Sequence, residues 1–117
     1  MARGPCSGYF QSVKPFIEIA GVSGSIYRFQ WVSGPTRLPA TAGNFIFLRS
    51  SPGEDEIVCC GMVRSLVLAV SAWEQAQDQH GATSIYVRLN VSRGIRSAEH
   101  QDIVAKQAPM LTISEPG

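Results

Sequence analysis

The sequence predicts a single α+β domain, in which a mixed or antiparallel β-sheet carries two main helices. Apolar residues alternate with polar ones along the first half of the chain, whereas later apolar residues recur at three- and four-residue spacing. The chain has 117 residues, of which 44% are apolar and 16% charged. That length is typical of one domain, and that composition excludes a disordered chain. The predicted order of elements is β-β-β-β-α-β-α.

The first two strands are predicted to form a hairpin. Residues 14–20 alternate in hydropathy, and GVSG at residues 21–24 supplies the glycines of a tight turn. The next segment, IYRFQWV at residues 26–32, alternates aromatic and polar side chains. We expect its aromatic face to point inward. That face consists of Tyr27, Phe29 and Trp31.

A second hairpin follows the loop at residues 33–42. GNFIFLR, residues 43–49, predicts a largely buried strand, and SSPGEDE predicts a turn because Pro-Gly between polar residues extends neither strand. The returning strand, IVCC at residues 57–60, is apolar on both faces. We therefore place it in the interior of the sheet.

A long helix is predicted from Met62 to His80. Its apolar positions have helical spacing: Val63, Leu66, Val67, Val70, Trp73 and Ala76. The first half of this segment is apolar almost all round, which predicts a buried helix. Gly81 is expected to end it in the left-handed conformation.

The remaining residues predict one strand and one helix. The strand lies in ATSIYVRLN, and the helix runs from Ala98 to about Gln107, capped by Ser97 and ended by Pro109. The apolar start of the segment after Pro109 is expected to pack back on the sheet. The domain is thus expected to span residues 14–112, with a loose lead-in at 1–13 and a tail at 113–117.

The charge balance does not require a polyanionic partner. Ten basic and nine acidic residues give a net charge of +1, whereas nucleic-acid binding usually shows as a clustered basic excess. Eight of the ten basic residues are arginines. Arginine suits bidentate phosphate contacts, but a coding bias in the source genome gives the same excess.

Cysteine usage and hydropathy favour a cytoplasmic protein. The three cysteines, Cys6, Cys59 and Cys60, are an odd number without paired spacing, which indicates a reducing compartment. The N-terminal residues show no apolar signal segment. The longest apolar run, LVLAVSAW, is shorter than the roughly 20 residues that span a bilayer. We therefore expect no membrane association.

Metal and nucleophile chemistry find little support in the sequence. Adjacent side chains on a strand point to opposite faces, so Cys59 and Cys60 are not expected to ligate one ion. A nucleophilic pair of Cys60 with His100 is conceivable. The alternative, which we favour, is that both cysteines are small buried hydrophobic residues.

Candidate ligand-binding residues lie near the predicted last strand. Arg88, Arg93 and Arg96 could form one basic patch, although a solvated loop explains them equally well. Tyr86 shares the less apolar face of its strand with Arg88. Arg64 is a further basic candidate, in the first turn of the predicted long helix.

A set of short motifs occurs in a defined order along the chain. They are Gly43-Asn44-Phe45, Cys59-Cys60-Gly61, Leu66, Trp73, GATSIYV at residues 81–87, Asp102-Ile103 and Pro109. In this order the chain resembles the GIY-YIG endonuclease domain, most closely a compact bacterial subgroup with an additional N-terminal strand pair. The resemblance covers roughly residues 26 to 112, and GATSIYV with the upstream tryptophan is its most specific part.

The resemblance implies metal-assisted phosphodiester cleavage, but the catalytic positions are replaced. The two motif tyrosines correspond to Phe45 and Cys59, and the helix arginine corresponds to Ala69. The metal-binding glutamate, counted back from Pro109, corresponds to His100. Glu99 is one residue out of register, which rotates a helical side chain by about 100°.

These replacements predict a binding or interaction module that keeps the fold without the catalyst. Nucleic acid is the ligand that the resemblance implies, and no cofactor is expected. One alternative is a structural or protein-interaction role without nucleic acid, for example as a homodimer built on an edge strand. A second alternative is a divergent endonuclease in which Glu99 or His100, with Asp102, holds a divalent metal such as Mg²⁺.

Overall fold

The computed structural model describes residues 14–114 and confirms an α+β domain with two main helices on one mixed sheet. The strands are β1 Phe16–Ala20, β2 Ile26–Val32, β3 Gly43–Ser51, β4 Glu54–Val63, β5 Ser84–Leu89 and β6 Leu111–Ser114. The helices are α1 Val70–His80 and α2 Arg93–Gln107, and short 3-10 turns span Pro35–Arg37 and Leu66–Ala69. The lead-in expected at residues 1–13 lies outside the described residues.

The six strands form one sheet in the order β1-β2-β5-β3-β4-β6. All neighbours are antiparallel except β4 and β6, which run parallel. The predicted interior position of the IVCC segment is confirmed, because β4 lies between β3 and β6. One β-bulge interrupts the β3–β4 pairing: Cys59 pairs with Phe47 and Ile57 with Leu48, which leaves Val58 as the extra residue.

Apolar side chains cover both faces of the central strands, so the domain has two cores. On the face that carries α1, the rings of Phe45 and Phe47 stack with centroids 4.7 Å apart. The ring of Trp73 from α1 meets Phe47 edge-on at 5.1 Å. The opposite core joins strand residues such as Phe29 and Ile46 to α2. The helix residue that is most deeply buried there is Ile103.

Helix α2 packs against both β1 and β4, although three strands separate them in the sheet. Gln107 donates its side-chain amide to the carbonyl of Ala20 at 2.9 Å, next to the β1–β2 turn. The sheet therefore bends around α2. This curvature leaves the other face of β1 and β2 pointing outward.

The helix predicted from Met62 to His80 begins later than expected. Gly61, Met62 and Val63 pair with β3 and extend β4, and a 3-10 turn follows before α1 starts at Val70. The sheet takes the first residues of the apolar run because pairing with β3 satisfies their main-chain hydrogen-bonding groups. The prediction that the first half of this segment is buried is also wrong in part, because Val67 and Leu68 are exposed. Gly81 ends α1 with φ 68°, as predicted.

Helix α2 begins five residues before the predicted start at Ala98. Ser92, and not Ser97, is its N-cap and accepts a hydrogen bond from the Ile95 amide at 3.5 Å. The first turn is stabilised further by Arg96, whose Nη1 donates to the carbonyls of Asn90 and Val91. The segment SRGIRS therefore starts a helix and is not the predicted turn.

Two other differences concern the ends of the sheet. The segment expected to pack back on the sheet does so as a sixth strand, β6, whose Ile113 and Ser114 had been assigned to the tail. In β2 only Phe29 of the predicted aromatic face is fully buried, and Trp31 remains 37% exposed. In residues 14–114, no helix is long and apolar enough to cross a membrane.

Candidate functional site

Three of the four motif positions lie together inside the α1-side core. Phe45, Cys59 and Ala69 are almost fully buried members of the same apolar cluster. The ring of Phe45 carries no hydroxyl group. Its Cζ would lie 2.1 Å from a Cβ atom placed on Gly61. Burial raises the pKa of the Cys59 thiol to about 12, so the thiol stays protonated. No polar catalytic group is present at these three positions.

The fourth position, His100, is on the other side of the sheet. It lies on α2, whose Ile103 and Val104 pack into the opposite core. His100 is 7% exposed, and burial lowers the pKa of its imidazole, which favours the neutral form. The structure thus does not bring the four motif positions to one surface.

Glu99, the candidate metal ligand, is already engaged in a hydrogen-bonded ion pair. Its Oε1 accepts from Arg88 Nε at 2.8 Å and from Asn90 Nδ2 at 2.9 Å. The side chain of Glu99 is 15% exposed. A cation would have to displace the guanidinium of Arg88, and the loss of one partner of a largely buried pair is costly.

The Glu99 pair is continuous with a buried amide network. Asn90 Nδ2 also donates to Asn44 Oδ1 at 3.0 Å, and Asn44 Nδ2 donates to the carbonyl of Arg96 at 3.1 Å. Sequence reasoning missed Asn44, which is 1% exposed. Its only signal was an amide side chain inside an otherwise apolar strand.

The five residues predicted to bind nucleic acid have three different environments in the structure. Tyr86 is buried and donates its hydroxyl to the Lys14 carbonyl at 2.9 Å, and the Arg96 side chain is buried beneath the start of α2. The packing of the sheet and of α2 therefore covers both side chains, which leaves little of either accessible to a ligand. Arg88 is the partner of Glu99. Of these five residues, only Arg64 and Arg93 are exposed.

Arg64 and Arg93 lie at the same end of the sheet. Arg64 directly follows β4, whose Val63 pairs with Gly43, and Gly43 also pairs with Leu89 at the end of β5. Arg93 begins α2 only a few residues after Leu89. The patch expected from sequence is therefore reduced to these two arginines.

A second polar cluster fastens the β1–β2 turn to α2. The carboxylate of Asp102 accepts from Ser23 N at 2.8 Å, from Ser23 Oγ at 2.6 Å and from the Tyr27 hydroxyl at 2.6 Å. These hydrogen bonds, those from Ser23 first, lower the pKa of Asp102. The bond to Asp102 in turn raises the pKa of Tyr27. Gly21 is required here, because a Cβ atom would lie 2.0 Å from Asp102 Oδ2.

The cysteines and histidines do not form a metal centre in the described residues. Cys59 belongs to the α1-side core and Cys60 to the opposite core, as expected for adjacent strand residues. Burial also raises the pKa of the Cys60 thiol to about 12, which argues against a nucleophilic pair with His100. Among residues 14–114, no group of three His, Cys, Asp or Glu side chains is placed to hold an ion.

Comparison of the chain with protein-family models, curated proteins and solved structures finds no match.

Proposed function

We propose that this chain is a GIY-YIG-like domain that binds nucleic acid without cleaving it. The observation that carries the proposal is the burial of Phe45, Cys59 and Ala69 in one apolar cluster, with His100 on the opposite side of the sheet. The motif order argues for the family, and the buried apolar positions argue against its chemistry. A domain of this kind retains a scaffold for recognition.

The energetics also favour binding over cleavage. Catalysis in this family would need the two tyrosine hydroxyls, the arginine and the metal ligand to act together. Each lost group removes a few kcal/mol of transition-state stabilisation, and every 1.36 kcal/mol is about tenfold in rate. Loss of all four leaves no useful rate. A folded domain without these groups favours a function in binding over one in catalysis.

The absence of cleavage can be tested with supercoiled plasmid and magnesium or manganese. We expect no nicking by the wild-type chain. Cleavage that disappears in Glu99→Ala but persists in Glu74→Ala would contradict the proposal and favour the divergent nuclease. Glu74 is a suitable matched control because it is an exposed acidic residue on α1.

Nucleic-acid binding can be tested by fluorescence anisotropy with labelled oligonucleotides of roughly twelve nucleotides, a length within the range bound by small domains. We expect an affinity that falls as the salt concentration rises, because phosphate contacts release counterions. Absence of salt-sensitive binding to single-stranded and duplex DNA and RNA, even at low ionic strength, would refute this part of the proposal.

A protein-interaction role is the second candidate, and one observation favours it. Leu89, Val91 and Ile95 are exposed where β5 leads into α2, and Val91 is 76% exposed. A homodimer that buried these side chains would explain them. Sedimentation at several protein concentrations tests this alternative. A monomer at all concentrations would count against the homodimer.

A further inference from the structure

Helix α2 covers only one end of the sheet face on which it packs. Its hydrogen bonds include those to Arg88 and Asn90, at the end of β5. At the opposite end of that face, Ser84 of β5 pairs with Leu48 of β3, and Leu48 pairs with Ile57 of β4. Directly paired residues share a face, and Leu48 belongs to the α2-side core. These three side chains therefore form a row across the α2 side of the sheet, away from the contacts of α2.

Two adjoining cavities lie at this end of the sheet. Their volumes are about 580 and 610 Å³, and they share Lys14, Leu48 and Asp55. In the described part of the chain, no residue of α1 or α2 lines either cavity. Cavities of this size are typical of small-ligand sites, which are common in the mouths of curved and closed sheets. We call the two cavities together the end cavity.

The floor of the end cavity is apolar. Leu48 and Tyr86 are almost fully buried members of the α2-side core. Ile17 of β1 and Ile57 of β4 are partly buried against the same core, and both line the second cavity. Three strands separate β1 from β4 in the sheet, so the curvature of the sheet brings the two isoleucines to one cavity. The floor thus offers apolar surface to a ligand.

The rim of the end cavity carries an ammonium group and a carboxylate group, those of Lys14 and Asp55. Both residues are exposed, and neither side chain has a hydrogen bond or an ion pair with another residue in 14–114. The Tyr86 hydroxyl donates to the carbonyl of Lys14 at 2.9 Å, which fixes the backbone there. Burial raises the pKa of Tyr86, and the charge of Asp55 raises that pKa further. The Asp55 carboxylate therefore lies within electrostatic reach of the cavity floor.

The other charged groups at the rim offset each other. Glu18 and Arg28 line the second cavity and are directly paired on β1 and β2. The Arg28 guanidinium is also stacked on the Phe16 ring, with Cζ 3.8 Å from its centroid. Two basic and two acidic side chains thus give the rim no net charge. Charge complementarity at such a rim favours a ligand that carries one charge of each sign.

We propose that the end cavity binds a small zwitterion with an apolar side chain, the chemical class of a free α-amino acid such as leucine. The carboxylate of the ligand contacts the ammonium group of Lys14, and the ammonium group of the ligand contacts the Asp55 carboxylate. The apolar side chain of the ligand packs on Leu48 and Ile57. The hydroxyl of Ser84, which lines the first cavity, supplies a further hydrogen bond. This inference goes beyond the proposed function and does not rest on it.

The test is a titration of the isotope-labelled full chain with leucine, followed by the chemical shifts of its backbone amides. We expect a dissociation constant on the order of a millimolar, because the ligand has few atoms and the cavity is open. The amide signals of Ser50, Gly53 and Ser84 should move, since these residues line the first cavity. The signals of Gly94 and Ser97, at the start of α2, should stay in place.

Three related ligands each lack one of the recognised groups. N-acetyl-leucine has no ammonium group, leucinamide has no carboxylate, and glycine has both charges without the apolar side chain. We expect each of them to bind about three- to tenfold more weakly than leucine, because one exposed ion pair or the apolar contact is lost. Equal affinities for leucine and either derivative with one charge would overturn the assignment of a zwitterion.

Two variants assign each charge of the ligand to one residue. Asp55→Asn should weaken leucine binding and remove the difference in affinity between leucine and N-acetyl-leucine. Lys14→Gln should weaken leucine binding and remove the difference between leucine and leucinamide. Matched controls are Asp78→Asn on α1 and Lys106→Gln on α2, which are exposed and lie outside the cavity. Both controls should leave the affinity within about twofold of wild type.

The remaining outcomes also decide the inference. The amide spectrum of every variant verifies that it is folded, which the exposure of the substituted side chains favours. Discrimination between the ligands that is unchanged in both Asp55→Asn and Lys14→Gln would overturn the assignment of the end cavity. The absence of any shift change up to the solubility limit of leucine would refute binding. None of these results bears on the proposed function, which the oligonucleotide titrations test separately.

Discussion

Gly61 lies directly against the ring of Phe45, one of the positions on which the proposed function rests. The fit is close because any Cβ at position 61 would overlap the para carbon of that ring. Gly94, in the first turn of α2, has open space where a Cβ would be placed. The same substitution therefore has opposite expected effects at these two glycines.

Gly61→Ala should lower the free energy of unfolding by about 1–3 kcal/mol, because the added methyl group overpacks a filled core. Gly94→Ala should raise it by up to about 1 kcal/mol, because alanine loses less conformational entropy in a helix. Urea denaturation measures both changes. Wild-type stability in Gly61→Ala would mean that Phe45 can move aside, which the close packing argues against.

His100 gives the protein a specific dependence on pH. Burial lowers the pKa of its imidazole in the folded state below the ordinary value of 6.5, so the unfolded chain binds the proton more tightly. The folded state is therefore most stable, relative to the unfolded chain, above pH 6.5. Below that pH the unfolded chain takes up the proton first, until the pH reaches the folded-state pKa. We expect the free energy of unfolding to decrease over that interval.

Urea titrations at a series of pH values test this dependence. His100→Gln should flatten the profile between pH 6.5 and the folded-state pKa, because the titrating imidazole is gone. A matched His80→Gln variant should keep the wild-type profile, since His100 is still present. An unchanged profile in His100→Gln would assign the dependence to other groups.

Helix α2 is the element that holds the curved sheet together. Its Asp102 accepts three hydrogen bonds from the β1–β2 hairpin, and its backbone carbonyl at the same residue accepts from Val22 N at 3.0 Å. Its C-terminal Gln107 bonds the end of β1. These contacts hold the β1–β2 hairpin against α2.

Asp102→Ala should lower the melting temperature and speed amide hydrogen exchange at Ser23, because both acceptors of the carboxylate are lost. The pKa of Asp102 is lowered in the folded state, so its contribution is complete above about pH 4. That contribution is lost as the pH falls through the folded-state pKa. The difference in melting temperature between wild type and variant should therefore shrink in acid. Asp102→Asn, which retains one acceptor, should have a smaller effect at pH 7.

The two cores on opposite faces of the sheet should unfold as one unit. Adjacent residues of β3 point into different cores, since Phe45 and Phe47 belong to one and Ile46 to the other. Loss of either core therefore removes support from the same strand. Cooperativity across the sheet follows from this shared backbone.

Ile103→Ala, in the α2-side core, should lower the free energy of unfolding by about 2–5 kcal/mol, because it leaves a cavity. Fluorescence of Trp73, measured in a Trp31→Phe background, reports on the other core and should shift to the same urea midpoint as far-UV circular dichroism. The conservative Ile103→Val serves as the control and should lower the free energy of unfolding by only about 0.5–1.5 kcal/mol. Separate midpoints for the two probes would indicate independent unfolding of the cores.

Much of the fold was predictable because local patterns decide it. The strand IYRFQWV occurs within the predicted bounds, Gly81 ends the first helix, and Cys59 and Cys60 point to opposite faces. Alternation and helical spacing reflect backbone geometry, which neighbouring residues determine. The less accurate predictions lie where another element competed for the same residues, as at Met62 and Val63, which pair with β3.

The candidate site was less predictable, because its residues are separated in sequence. Arg88, Arg93 and Arg96 were candidates for one basic patch beside Tyr86. The structure buries Tyr86 and Arg96 and pairs Arg88 with Glu99.

The sequence alone determined the α+β class and the two hairpins, because composition and short-range periodicity are sufficient for each. Only the tertiary structure decided which side chains face solvent. Burial depends on contacts between distant segments: α2 covers His100 and Arg96, and α1 covers Phe45 and Cys59. Phe16 and Trp31 lie on opposite faces of the sheet, and both remain partly exposed because no other segment of the described residues buries them.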